Sequence, residues 1–148
     1  MFDHIGIVAS DLERSASFYA RTLAPLGLKI VERHNAAPGE GWIVISTGAP
    51  ASPFFVVGAG RPSFWLNESR AGASPAHLCF RAPSRQAVDE FYRLGLSHGA
   101  RDNGAPGVRR VPFYCAFLID PDGNNIEAGC YLLDQRIESD VATQDQKP

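Results

Sequence analysis

Residues Phe117–Cys130, FLIDPDGNNIEAGC, decide how the rest of the chain is read. Asp120-Pro121-Asp122-Gly123 has the makings of a tight turn, because proline presets φ at one corner and glycine tolerates positive φ at another. Apolar residues flank it on both sides. The stretch therefore predicts two antiparallel strands, near 113–119 and 124–131. In the second strand Ile126, Ala128 and Cys130 recur at every second position and point to a core. Glu127 stands in the middle of that strand. A buried carboxylate without a partner is costly, so Glu127 calls for a cation. Two histidines with a divalent metal ion are one answer, and an arginine such as Arg109 or Arg110 is another.

Outward from this hairpin the chain repeats itself. Residues 3–28 read DHIGIVASDLERSASFYARTLAPLGL, and residues 76–100 read AHLCFRAPSRQAVDEFYRLGLSHGA. Each copy begins with a histidine in a short apolar strand, continues into a polar helix start and a Phe-Tyr pair, and ends at glycine. His4 and His77 are 77 − 4 = 73 positions apart, and Phe18 and Phe91 are 91 − 18 = 73 apart. A shared offset predicts two copies of one module.

The first module reads as a strand over 2–9, a helix over about 11–24 and strands near 28–33, 41–47 and 53–58, with a further one at 63–67. Ser10-Asp11-Leu12-Glu13 fits a capping box for that helix. The second module reads as a strand over 76–82, a helix over about 84–97 capped by Ser84, and the hairpin above. The glycine- and proline-bearing segment 102–110, DNGAPGVRR, reads as a shaped loop. The fold class expected is α+β: two tandem βαβββ modules, about 1–70 and 74–133, forming a curved mixed sheet around a central cavity. One domain would span 1–133, and the polar residues 134–148 would form a tail. A cavity between repeats is a natural small-molecule site.

Composition narrows the function classes. The 148 residues are 45% hydrophobic and 20% charged, with a net charge of −2, which is ordinary for a globular chain. That charge balance gives no electrostatic case for nucleic acid or for an anionic membrane. No apolar run approaches the ~20 residues of a membrane span. MFDHIGIVAS has neither a basic start nor a long apolar segment, so it reads as a first strand and not as a leader. The three cysteines, Cys79, Cys115 and Cys130, show no CxxC spacing and read as buried reduced thiols of a cytoplasmic protein.

With these segments in view, the chain resembles the vicinal oxygen chelate superfamily, which includes glyoxalases, extradiol dioxygenases, fosfomycin-resistance enzymes and bleomycin-resistance proteins. The likeness covers about residues 1–133. It is carried by the two repeated segments, by DNGAPG and above all by FLIDPDGNNIEA, the usual lead-in to that family's metal-binding glutamate. The resemblance implies paired βαβββ modules with metal ligands on the first and last strands. It matches His4 and His77 to the first-strand histidines and Glu127 to the last-strand glutamate. At the fourth position it meets Pro62-Ser63-Phe64-Trp65-Leu66, so Phe64 or Trp65 stands where other members carry a glutamate. Glu68 lies past the strand register.

Two imidazoles and one carboxylate form a 2-His-1-carboxylate set that leaves positions open on a divalent ion, whether iron, manganese, nickel, cobalt or zinc. The implied function is a lyase, isomerase or dioxygenase acting on a small oxygen-chelating substrate. The alternative is a bleomycin-resistance-type protein that binds a small molecule without catalysis. Phe64, Trp65, Phe113 and Tyr114 are candidates to line the pocket, and Arg109 is a candidate for an anionic part of the substrate. His34 and His98 read as ordinary turn and helix-end residues. No catalytic base is identified. The resemblance also implies a homodimer, with the site inside one chain or shared between two.

Overall fold

The hairpin and the repeat both form. The computed structural model describes residues 3–37, 40–50, 52–59 and 76–131. The first module runs β1 (His4–Val8), α1 (Leu12–Thr22), β2 (Lys29–Ala37), β3 (Glu40–Ser46) and β4 (Phe54–Ala59). The second runs β5 (His77–Arg81), α2 (Arg85–Ser97), β6 (Arg101–Arg110), β7 (Phe113–Ile119) and β8 (Asn125–Tyr131). Each makes a mixed four-stranded sheet, ordered β1-β4-β3-β2 and β5-β8-β7-β6. The α+β class and the paired βαβββ modules are as expected. Among the described residues the strands form two separate four-stranded sheets.

Two local expectations change. Segment 102–110 is not a loop but most of β6, which pairs antiparallel with β7. Its glycines act as bulges instead: the register shifts between Asp102 and Gly104 and again between Gly104 and Gly107, and Gly104 has φ 151°. The strand that closes the first module against β1 is β4, at residues 54–59. The expected strand at 63–67 lies outside the described residues.

Helix α1 starts one residue later than the capping box implied. Asp11 is its N-cap and accepts from the Arg14 amide at 3.0 Å. Ser84 caps α2 as expected, accepting from the Ala87 amide at 3.1 Å. Both helices turn an apolar stripe inward. Phe18, Tyr19 and Leu23 meet Ile43, Ile45, Phe55 and Val57 from the first sheet, and Val88 and Phe91 meet Leu118, Ile126 and Ala128 from the second. These residues form one continuous core. Tyr19, Phe55 and Phe80 link the modules through edge-on ring contacts at 5.2 and 5.5 Å. The modules thus pack through their helix-bearing faces, so the other face of each sheet points away from the shared core.

The DPDGN turn fastens this arrangement. Asp120 Oδ2 accepts from the Tyr19 hydroxyl at 2.5 Å, across 101 positions of sequence, and from Asn124 Nδ2 at 2.9 Å. Its Oδ1 accepts from the amides of Asp122 and Asn124. Burial first, and then the Asp120 charge, hold the Tyr19 hydroxyl protonated far above its ordinary range. Asp122 reaches the start of α1, accepting from the Ser10 amide and hydroxyl, from Arg14 and from the Ser15 hydroxyl.

Burial pushes the Asp122 pKa up, but the Ser10 and Ser15 hydrogen bonds and Arg14 outweigh it, and the net shift is downward. A carboxylate with a lowered folded pKa stabilises fully above its unfolded value of ~3.9 and loses that contribution as pH falls through the folded value. Urea midpoints measured between neutral pH and pH 3 are expected to drop below about pH 5 in the wild type, and Asp122→Asn is expected to flatten that drop. An equal slope in the variant would remove Asp122 from the account.

Candidate functional site

Strand register decides which side chains meet. Across β5, β8 and β7, Cys79 pairs with Glu127, and Glu127 with Phe117. His77 pairs with Asn125, Cys115 with Gly129, and Phe113 with Tyr131. Residues opposed in neighbouring strands, and those two positions along, share a face. His77, Cys79, Phe113, Cys115, Phe117 and Glu127 therefore lie together on the face turned away from the core.

On that face His77 Nε2 lies 3.2 Å from Glu127 Oε2. Glu127 is buried at 7% exposure, whereas the His77 side chain is half exposed. The His77 ring lies roughly parallel to Phe117 at 6.3 Å. Cys79 and Cys115 lie on the same face beside Glu127. Burial of the sulfur, then the Glu127 charge, push Cys79 up to about 12, and burial followed by Glu127 pushes Cys115 up to about 11. Both thiols are therefore protonated at neutral pH. Cys115 and Cys130 are buried as expected, but Cys79 is exposed, because it sits on an edge strand.

Arg109 does not pair with Glu127. Its Nη2 donates to the Ala105 carbonyl at 2.6 Å, and its guanidinium lies 5.9 Å from the Phe117 ring centre. Phe113 lies flat enough over Gly129 that a Cβ there would come within 2.2 Å of the ring. Tyr114 is on the opposite face. It pairs with Cys130, packs against the core and donates its hydroxyl to Asp89 at 2.7 Å. Alternation along β7 makes Phe113 and Tyr114 exclusive choices for one face, so Tyr114 is not brought to the pocket.

His4 sits on β1, stacked on Phe54 at 4.8 Å, with Nδ1 2.7 Å from Asp3 Oδ1. It pairs with Phe54, one position out of phase with the buried Phe55 and Val57, and so it also faces away from the core. The chain brings His77 and Glu127 together but does not add His4. Among the described residues no three His, Cys, Asp or Glu side chains form a group that could hold a metal ion.

Phe64 and Trp65 lie outside the described residues. The register gives the fourth position another occupant. Cys79 pairs with Glu127 in the second module, and the matching pair in the first is Gly6 with Val56. The last strands are offset by 127 − 56 = 71 positions, against 73 for the histidines, so intervening loops differ by two residues. The sequence reading misses Val56 because it places the last strand of the first module at 63–67 and not at 53–58. Phe117 and Cys79 were also missed, although Cys79 stands two positions after His77 and so on its face.

The donors present suit a divalent ion in kind, since an imidazole nitrogen and a buried carboxylate oxygen already converge. Among the described residues two such donors converge, short of the three protein ligands of a catalytic centre.

Among the described residues no helix is long and apolar enough to cross a membrane. No curated protein is significantly similar to the chain. Solved structures are. A glyoxalase/bleomycin resistance protein from Albidiferax ferrireducens T118 is 28% identical, with a TM-score of 0.64 over 87% of this chain and 97% of that one. A lactoylglutathione lyase from Agrobacterium tumefaciens is 20% identical, with a TM-score of 0.59 over 88% and 92%. TioX from Micromonospora sp. ML1 is 15% identical, with a TM-score of 0.65 over 87% and 97%. The last two likenesses speak to fold alone. The sequence model of one family matches residues 1–128, nearly the whole two-module unit described above. The repeat, the paired βαβββ sheets and this match agree, and the chain belongs to the Glyoxalase/Bleomycin resistance protein/Dioxygenase superfamily.

Proposed function

We propose that this chain is a metal-dependent enzyme of the glyoxalase/dioxygenase type, acting on a small oxygen-chelating substrate as a lyase, isomerase or dioxygenase. The observation that carries the reading is the His77–Glu127 pair, 3.2 Å apart on an outward sheet face. His4 of the partner subunit would complete the ligand set, so a homodimer is the working unit. Two features support that assembly. His4 and Glu127 both face away from the core that holds the modules back to back. Strands β1 and β5 are both sheet edges, so one copy's first module can meet another's second.

The ion, whether iron, manganese, nickel, cobalt or zinc, would supply Lewis acidity toward two adjacent substrate oxygens. Phe113 and Phe117 would give the pocket an apolar wall, and Arg109 would take an anionic part of the substrate.

A second reading, small-molecule binding without catalysis, is favoured by Val56 at the position of a fourth donor. Metal content per chain by elemental mass spectrometry separates the two. Near-stoichiometric metal is expected in untagged wild type and none in a His4→Ala/His77→Ala double variant. Co-refolding His4→Ala with Glu127→Gln chains is expected to restore part of the metal, because each hybrid dimer holds one intact shared site. Loss in both single variants without restoration would place the site within one chain. No metal in wild type, even after reconstitution with several divalent ions, would leave the binding reading.

A further inference from the structure

We propose that Asn125, oriented by Asn103, is a substrate-binding residue, and that the pair selects an uncharged group such as a carboxamide on the ligand. The inference rests on reading this outward face as the ligand pocket, and it needs no metal ion.

Strand geometry puts the pair there. Asn125 pairs with His77 on β5 and with Ile119 on β7. It stands two positions before Glu127, so its side chain shares the site face, while Ile126 between them is fully buried. The backbone N–H of Asn125 donates to the Ala76 carbonyl at 2.8 Å, which fixes the start of β8. Asn103 belongs to β6, with β7 in between, yet its Nδ2 donates to Asn125 Oδ1 at 3.0 Å. The bulge in β6 explains that reach. The register slips between Asp102 and Gly104, and the Gly104 N–H turns back to Asp102 Oδ1 at 2.8 Å. A bulge re-aims the side chain it carries, and this one carries Asn103 over β7 toward β8.

His77, Asn125 and Asn103 thus make a polar row along one end of the face. Glu127 and Phe117 form the next row, and the Phe113 ring lies beyond it, over Gly129. Gly104 is suited to the same arrangement. A Cβ there would come within 3.0 Å of the Phe117 ring and 3.1 Å of Arg109 Nη2. The residue that follows Asn103 therefore lets both the aromatic wall and the arginine close down on β6.

The pair has hydrogen-bonding capacity to spare. The bond between the two side-chain amides uses one of their four N–H groups and one of their two carbonyl oxygens. Among the described residues neither side chain has another partner. Asn103 is exposed and Asn125 half-buried, so a spare donor and a spare acceptor are within reach of a ligand. A carboxamide presents the same edge in return, an N–H beside a carbonyl. A carboxylate offers no donor, and the buried Glu127 carboxylate next along β8 disfavours a second negative charge at this end. Arg109, on the far side of Phe117, is the place for an anion.

The test uses two ligands that differ in that group alone, salicylamide and salicylate. Each is titrated into isotope-labelled wild type, as purified and again after chelation of metal, and the side-chain amide signals of Asn103 and Asn125 are followed by nuclear magnetic resonance. Salicylamide is expected to shift both signals in both preparations and to bind more tightly than salicylate. Asn125→Ala is expected to weaken salicylamide about 3–10-fold, the worth of one neutral hydrogen bond, and to leave salicylate unchanged. Asn103→Ala should lower salicylamide affinity by a smaller factor, and both variants should melt with wild type. Shifts at the His77 and Glu127 backbones with the two asparagine side chains unmoved would overturn the inference and leave the pocket standing. So would an equal loss of both ligands in Asn125→Ala. No shift on this face with either ligand would overturn the inference and the pocket reading together, while metal content judges the metal centre separately.

Discussion

Glu127→Gln is expected to abolish metal-linked stabilisation while leaving the apo fold intact. Glutamine keeps the shape of the side chain. It removes the charge that draws a cation beside His77. Losing a direct ligand's charge should cost on the order of 100-fold or more in affinity, since outer-shell losses alone cost ~10–100-fold. At a free metal concentration of about 100 times the wild-type Kd, binding adds about 2.7 kcal/mol to wild-type stability. For a chain of this length that raises Tm by roughly 5–10 °C, and the variant should show almost none of it. Without metal, the variant should melt at or slightly above wild type, because a neutral amide is cheaper to bury than a carboxylate. The control is His34→Ala. His34 stacks on Trp42 at 3.9 Å in the first module, so its loss should leave the metal response unchanged. An undiminished response in Glu127→Gln would remove Glu127 from the site.

Asp120→Ala is expected to be the most damaging single change to the fold. Asp120 is 3% exposed and accepts four hydrogen bonds: from the Tyr19 hydroxyl, from the Asn124 side chain and from two turn amides. Alanine strands the Tyr19 hydroxyl, which is fully buried. Each buried polar group left without a partner costs about 1–3 kcal/mol, so a total of roughly 3–5 kcal/mol is expected. That corresponds to a Tm lowered by on the order of 10 °C. Tyr19→Phe keeps the ring packing and loses one charge-assisted bond, so it should cost about 1.5–3 kcal/mol. Thermal melts of the two variants measure the difference. If Asp120→Ala lowered Tm by only a degree or two, the DPDGN turn would be an ordinary turn and not the fastening between modules.

Both predictions turn on the same short stretch, and it was only half legible. The turn, the two strands and the inward alternation of Ile126, Ala128 and Cys130 follow from local chemistry, namely proline and glycine dihedrals and a side-chain period of two. Nothing local says that Asp120 and Asp122 spend their carboxylates on Tyr19, Ser10, Ser15 and Arg14 about a hundred positions away. The segment 102–110 failed for a related reason. Glycine and proline mark loops and bulges alike, and only pairing with β7 distinguishes them.

The amino-acid order by itself determined the duplication, the α+β class and the cap at Ser84, because a repeat is read by direct comparison and caps and periodicity are short-range properties. The tertiary structure alone decided which donors meet. It seated Val56 at the fourth position through loops of unequal length. It turned Tyr114 to the core and left Phe113 on the site face by strand alternation. It set His4 and Glu127 on outward faces of separate sheets, because the apolar stripes of α1 and α2 bury most surface when the modules pack through their helices. Burial and register are sums over distant contacts, and no window of local sequence contains them.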